Sequence, residues 1–101
     1  MRLFIYSIFD TATGAYMRPF FVQADAAAQR AFEDLVATPD HEVAKHPECY
    51  ALFRLGVFDD NKGSIVGEAP ECLQTGLQAV AENTVKAEDK LEPIINPGGT
   101  D

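Results

Sequence analysis

The sequence contains few of the residues that stabilise secreted proteins or anchor proteins in membranes. It has no tryptophan and only two cysteines, Cys49 and Cys72, which lie far apart and do not form a CxxC motif. This cysteine usage indicates neither a disulfide framework nor a zinc site, and it fits a reducing compartment. No apolar run approaches the roughly 18 residues of a membrane-spanning helix, so no membrane partner is expected.

Basic residues are also scarce. Eight Lys and Arg stand against sixteen Asp and Glu, which gives a formal net charge of −8. A field of this sign repels nucleic-acid phosphates at long range unless the basic side chains gather on one face. Hydrophobic residues nevertheless make up 47% of the 101 residues, which is enough for one folded domain. The composition therefore predicts a small, soluble, acidic domain.

Extended patterns predict two strands, over residues 2–9 and 15–23, separated by a turn that ends in a glycine. Pro19 lies inside the second strand and indicates an edge position or a bulge, because proline cannot donate a ladder hydrogen bond. Residues 50–58 predict a third strand. The turn signal at residues 59–63 then leads into a short return strand over residues 64–66.

An amphipathic helix is predicted between the two strand pairs, with Asp25 as its cap and a stop before Pro39. Its apolar side is predicted to contain Ala28, Ala31, Phe32, Leu35 and Val36. The order ββαββ predicts an α+β fold in which a small antiparallel sheet packs on one face against the helix. Residues 1–67 form this predicted core domain. Residues 68–101 form an acidic extension, with a short helix over residues 70–82 and a flexible tail.

Alternation along the strands assigns their side chains to two faces. If Phe9 pairs with Ala15, one face is nearly all apolar and should lie beneath the helix. That face contains Leu3, Ile5, Phe9, Ala15, Met17, Phe21, Ala51, Phe53, Leu55 and Val57. The opposite face gathers tyrosines and arginines, which are the candidate binding residues. They are Arg2, Tyr6, Tyr16, Arg18, Tyr50 and Arg54.

Several roles suit this second face. Aromatic rings stack on bases and guanidinium groups hold phosphates, so the face is a candidate platform for single-stranded DNA. Tyrosine and arginine are also common in protein interfaces, and a sheet with two apolar faces needs a second cover, from the C-terminal segment or from another subunit. An ordinary exposed surface is the third interpretation. The acidic balance ranks a protein interface or an intramolecular cover above nucleic acid.

The sequence contains no motif that indicates catalysis. His41, His46 and Cys49 lie in one loop, but their spacing matches no standard metal site. The adjacent carboxylates Asp59 and Asp60 are explained by the hydrogen bonds of a turn. No nucleophile elbow, P-loop, zinc-protease or dinucleotide motif is present. We therefore expect no enzyme, no metal and no cofactor.

Several blocks of the sequence resemble one family. They are IYSIFD at residues 5–10, YMRPFF at 16–21, RAFED at 30–34 and the segment from HPE at 46–48 through YALFRLGVFDD at 50–60 to GSI at 63–65. Together they resemble the nonstructural protein of gokushoviruses, the small single-stranded DNA phages of the microvirus group, over about the first two thirds of the chain. Cys49 replaces the acidic residue that this family would have there.

The resemblance implies a nonenzymatic accessory protein that assists single-stranded DNA synthesis or packaging in the host bacterial cytoplasm. Its expected partner is single-stranded DNA or a phage or host replication protein, and a homodimer is the expected arrangement. The resemblance implies no catalytic residues. A hypothesis of another class is a host-directed inhibitor, whose acidic extension mimics nucleic acid and binds a basic host protein.

Overall fold

The computed structural model describes the backbone of residues 1–99 and the side chains of residues 1–88. The elements follow in the order β1 (Arg2–Asp10), β2 (Ala15–Tyr16), β3 (Phe20–Val22), α1 (Asp25–Val36), α2 (Glu42–Lys45), a 3₁₀ turn (Pro47–Cys49), β4 (Tyr50–Asp59), β5 (Ser64–Thr75) and α3 (Gly76–Gly99). The predicted α+β class with an antiparallel sheet is confirmed. The element order is richer than the predicted ββαββ.

The sheet is entirely antiparallel and follows the order β2-β1-β4-β5, while β3 also pairs with β1. The predicted second strand is divided into β2 and β3, which pair with opposite ends of β1. Pro19 lies in the break between them, where its missing N–H removes no ladder hydrogen bond. Strands β1 and β4 form the centre of the sheet, and β5 forms one edge.

Both predicted hairpin turns form. Gly14 has φ +72° and Gly63 has φ +66°, a region that glycine enters without steric cost. In the second turn, Asp59 Oδ1 accepts hydrogen bonds from the backbone N–H of Asn61 at 3.0 Å and of Lys62 at 3.3 Å. The Asp59 carboxylate therefore serves the turn, as its sequence context predicts.

Strand β5 is much longer than the predicted return strand. The helix predicted over residues 70–82 begins instead at Gly76, because Glu71, Cys72 and Gln74 pair with β4. Pro70 lies where the register between β4 and β5 shifts, so it interrupts no regular ladder bond. The predicted extension thus begins inside a strand, at residue 68. The division of the chain into domains at residue 67 stays a prediction, and residues 100–101 of the predicted tail lie outside the described residues.

Helix α1 buries most of the residues predicted for its apolar side. Ala28 and Phe32 are fully buried and Val36 is nearly so, whereas Ala31 is exposed. Glu33 is outside the predicted apolar side, yet it is only 7% exposed. Asp25 is also not the helix cap, because Ala24 occupies that position without a side-chain hydrogen bond.

Glu33 is buried because it joins α1 to the start of α3. Its carboxylate accepts hydrogen bonds from Gln74 Nε2 at 2.8 Å and from Lys86 Nζ, and its backbone carbonyl accepts one from Asn83. Burial alone would raise the pKa of Glu33, but the hydrogen bonds from Lys86 and Gln74 outweigh it and hold the pKa below its ordinary value. The carboxylate therefore stays charged at neutral pH and fixes α3 beside α1.

None of the helices among the described residues combines the length and the hydropathy that crossing a membrane requires.

Candidate functional site

Helix α1 packs on the side of the sheet that contains most of the predicted binding residues. Tyr6 and Leu52 are fully buried there against Phe32, and Tyr50 is only 9% exposed. The prediction that the opposite, more apolar face lies beneath the helix is therefore wrong. Tyr6 and Tyr50 are core residues of this covered side, and their rings are not available for stacking on a ligand.

The register of the first hairpin explains why Tyr16 does not share a face with Tyr6, as the sequence predicted. Phe9 pairs with Tyr16 rather than with Ala15. Because side chains alternate along a strand, this shift by one residue moves Tyr16 to the side opposite Tyr6. Tyr16 is 41% exposed in this position.

A β-bulge in β4 accounts for Val57, which was predicted to share a face with Leu3 and instead lies on the side of Tyr6. Ile5 pairs with Gly56 but Tyr6 pairs with Arg54, which leaves Leu55 as the extra residue. Beyond the bulge the alternation is reversed, so Phe58 joins the side of Leu3 rather than that of Tyr6. The sequence offered one signal for this bulge, since a glycine inside a strand often marks one.

Arg54 lies at the centre of a charged cluster on the covered side. Its Nη1 donates to both carboxylate oxygens of Asp25, at 3.2 and 3.0 Å, and its Nη2 donates to Glu71 at 2.8 Å. Glu68 adds a longer contact of 3.8 Å. Burial lowers the pKa of Arg54, but Asp25 and Glu71 more than offset this and raise it above the ordinary value. The guanidinium is thus already neutralised by carboxylates of its own chain.

Tyr6 completes this cluster by donating its hydroxyl hydrogen to Asp25 Oδ1 at 2.7 Å. Burial raises the pKa of Tyr6 well above its ordinary value, and the hydrogen bond to Asp25 and the charge of that carboxylate raise it further. Asp25 therefore joins β1 and β4 to the first residue of α1. These contacts orient the helix over the side of the sheet that contains Tyr6 and Arg54.

The remaining arginines of the predicted site are exposed and lie apart. Arg2 is at the start of β1, where it pairs with Asp59 and lines a shallow groove with Lys62 and Glu68. Arg18 lies in the break between β2 and β3. The structure therefore distributes the predicted binding residues over the core, an internal ion cluster and separate surface positions, and does not bring them together on one accessible face.

The accessible face is the other side of the sheet, which we call the open face. No helix among residues 1–88 packs against it, since α1 and the start of α3 both lie on the covered side. Two of its rings, Tyr16 and Phe21, are 41% and 44% exposed. The open face is defined by Leu3, Ile5, Phe9, Tyr16, Phe21, Phe53, Phe58, Ile65 and Cys72.

The aromatic rings of the open face form two contacting groups. Tyr16 lies 4.8 Å from Phe9 and 5.6 Å from Phe53 between ring centroids, and Phe9 and Phe53 are 6.0 Å apart. Phe21 and Phe58 form the second group, with centroids 5.8 Å apart and planes inclined at 70°. Edge-to-face contacts of this kind are favourable for aromatic pairs and keep the rings ordered.

Charged side chains of the strands lie on the covered side. Arg2, Asp10 and Asp59 each lie next to an open-face residue along their strand and therefore point to the other side. Glu68 and Glu71 contact Arg54, which lies on the covered side. The open face is therefore an uncharged aromatic surface on a strongly acidic protein. The charged strand residues are Arg2, Asp10, Arg54, Asp59, Glu68 and Glu71.

Sequence reasoning assigned most of the open-face rings to the core, because an uncharged face is usually the buried one. The acidic residues of α1 offered a signal that this helix covers the side of the sheet with Arg54. Asp25 and Glu33 are acidic and sit on the helix side that meets the sheet, so they need a cationic or hydrogen-bonding partner there. Arg54 is the cation that the strands offer at such a position.

The histidine loop has a structural role in the part of the chain that the structure describes. His41 Nδ1 accepts a hydrogen bond from the backbone N–H of Val43 at 3.1 Å and so caps α2. His46 lies 3.8 Å from Glu48 on the surface. Among the described residues, no three His, Cys, Asp or Glu side chains lie close enough together to hold a metal ion. Asp60 accepts a hydrogen bond from the Met1 amino group at 2.7 Å.

The fold is thus a small α+β domain in which helices cover one side of the sheet and leave the other open. The phage ORF5 protein family has a model that matches residues 3–79, which is most of the chain. The protein belongs to this family. No curated protein and no solved structure matches the chain.

Proposed function

We propose that the protein is a nonenzymatic accessory factor of a gokushovirus-like phage. It assists single-stranded DNA synthesis or packaging in the host bacterial cytoplasm by binding a phage or host replication protein through the open face. Membership of the phage ORF5 protein family supports the phage context. The sequence resemblance to gokushovirus nonstructural proteins supports the link to single-stranded DNA.

The observation that carries this proposal is the uncovered aromatic surface. The centres of protein interfaces are rich in Tyr and Phe and poor in charged residues, and a few large aromatic side chains supply most of the binding energy. The open face has this composition, with Tyr16 and Phe21 both more than 40% exposed. Contiguous apolar patches of this kind are rare on monomers unless they bind something.

A protein partner fits this surface better than DNA does. Phosphates need cations, and the strands place none on the open face, while Arg54 is held by Asp25 and Glu71. The net charge of −8 adds long-range repulsion of any nucleic acid. The complementary partner is therefore a protein with an apolar patch surrounded by basic residues, whose charge would speed its association with an acidic protein.

A titration with two separate probes tests the proposal. Fluorescence anisotropy of the labelled protein is followed with the purified replication protein of the same phage and, separately, with a single-stranded oligonucleotide at low salt. We expect saturable binding of the replication protein and none of the oligonucleotide. Changing Tyr16→Ser and Phe21→Ser together should weaken binding by at least about thirtyfold, because truncating interface hot spots costs about 2 kcal/mol or more.

Val85→Ser is the matched control, because Val85 is 49% exposed on α3, in the part of that helix whose Asn83 and Lys86 contact α1. It should leave the affinity unchanged. Absence of binding at about 100 µM replication protein would contradict the proposal, as would equal losses for the control and the double variant.

Single-stranded DNA is the second candidate ligand, because exposed rings on a sheet can stack on bases. Oligonucleotide binding that is lost in the Tyr16→Ser and Phe21→Ser variant would favour it over the protein partner. No binding at about 100 µM protein and low salt would exclude it, since nonspecific contacts usually reach that range.

The acidic host-directed inhibitor is the third candidate, favoured by the net charge. It predicts binding of a basic host protein that disappears at high salt and is unaffected by the changes at Tyr16 and Phe21.

A further inference from the structure

Strand β5 forms an edge of the sheet whose first part has none of the usual protections against pairing. Within residues 1–99, whose backbone the structure describes, the strand pairs with β4 on one side only. Ile65 and Val66 are 66% and 59% exposed, although they lie within a regular part of the strand. An exposed edge presents free backbone N–H and C=O groups to any further strand, and natural proteins usually block it with charges, prolines or bulges.

The second part of β5 has these protections. It contains Glu68, Pro70 and Glu71, and its register with β4 shifts twice. The stretch from residue 64 to residue 67, with the sequence SIVG, contains neither a charge nor a proline. Any strand that adds to this edge would therefore pair with the hairpin end of β5.

We propose that this stretch pairs with its own copy in a second molecule, which forms a symmetric dimer with Ile65 opposite Ile65. This inference goes beyond the proposed function, because it concerns the sheet edge and not the open face. Antiparallel edge pairing about a twofold axis joins two sheets into one, with the covered sides on the same side of the combined sheet. Each residue then faces a partner residue on its own side of the sheet.

Charge complementarity selects this register. With Ile65 at the axis, Ser64 faces Val66, and Lys62, in the turn just before β5, comes opposite Glu68 of the other molecule, twice in the dimer. Lys62, Ser64, Val66 and Glu68 line one groove on the covered side, so their side chains share a side of the sheet. The neighbouring registers lack this match, since placing Val66 at the axis sets Glu68 opposite Ser64.

The dimer would also extend the open face. Ile65 pairs with Phe58 across β4 and β5 and so lies on the open face beside the Phe21 and Phe58 rings. Two copies joined at Ile65 would present one continuous apolar surface across the combined sheet.

Sedimentation equilibrium over about 10 µM to 1 mM protein at low salt tests this dimer. The average mass should rise from 11.0 kDa towards twice that value with increasing concentration. Lys62→Glu and Glu68→Lys should each weaken dimerisation by roughly tenfold, because each replaces two attractive cross-strand pairs with repulsive ones. The two changes together restore the opposite charges and should restore the dimer.

Lys45→Glu is the matched control, since it changes the net charge by the same amount at an exposed position on α2. It should leave the dimer intact, as should Phe21→Ser on the open face. A protein that stays monomeric up to 1 mM, or a double variant that does not recover, would overturn the proposal. A dimer that is lost in Phe21→Ser but unchanged in Lys62→Glu would also overturn it and would place the contact on the open face.

Discussion

Replacement of Arg54 by glutamine should destabilise the protein, because this arginine joins β4, β5 and the start of α1. Its side chain is only 24% exposed and donates hydrogen bonds to Asp25 and to Glu71. Hydrogen bonds to charged groups contribute about 1.5–3 kcal/mol each when they are well buried. The two carboxylates are 39% and 59% exposed, so water compensates part of the loss.

We therefore expect Arg54→Gln to lower the free energy of unfolding by about 2 kcal/mol, since the screened ion pairs count for less than their buried equivalents. For a domain of this size such a loss lowers the melting temperature by roughly 10 °C. Urea unfolding followed by far-ultraviolet circular dichroism at neutral pH measures the first quantity, and a thermal melt measures the second.

Arg18→Gln provides the comparison, because Arg18 is exposed in the break between β2 and β3 and was predicted from sequence to share a binding face with Arg54. It should not change stability measurably. A double-mutant cycle of Arg54→Gln with Asp25→Asn should show a coupling energy of about 1 kcal/mol, because the two residues share one hydrogen-bonded pair. Equal stability of the Arg54→Gln and Arg18→Gln variants would refute a structural role for Arg54.

Other residues allow further predictions. Gly76→Ala should lower the melting temperature markedly, because a Cβ there would collide with the carbonyl oxygen of Pro47. Tyr6→Phe should lower the free energy of unfolding by about 1 kcal/mol, which urea unfolding can measure, because it removes a hydrogen bond to Asp25. The pKa of Glu33 is lowered in the folded protein, so its contribution to stability is present above the ordinary value of 4.5 and is lost as the pH falls through the lowered value. The stability difference between the native protein and Glu33→Gln, measured by urea unfolding at several pH values, should therefore shrink as the pH falls below 4.5. An unchanged difference would count against this role of Glu33.

The fold class was predictable because it depends on local signals. The strand patterns of β1 and β4, the turns that end in Gly14 and Gly63 and the amphipathic pattern of α1 each specify their own segment. The short hairpin connections make β2 antiparallel to β1 and β5 antiparallel to β4. The full length of β5 was missed because Pro70 resembles a helix start, whereas in the structure it occupies a bulge.

The side of the sheet that α1 covers could not be read from alternation alone. One shift in the pairing of Phe9 and one extra residue at Leu55 changed which side chains share a face. Both depend on contacts between strands that are distant in sequence. The partners of Arg54 are similarly non-local, since Asp25 and Glu71 lie in other elements. A cluster of tyrosines and arginines therefore proved to be partly core and partly internal ion pairs.

The most direct test of the open face as a partner-binding surface is the reactivity of Cys72. This free thiol is exposed and pairs with Phe53, so it lies on the open face. In a Cys49→Ser background, the rate of alkylation of Cys72 is measured with and without saturating phage replication protein. The proposed function predicts that the replication protein slows alkylation severalfold while an oligonucleotide does not. An alkylation rate that saturating replication protein leaves unchanged would contradict it.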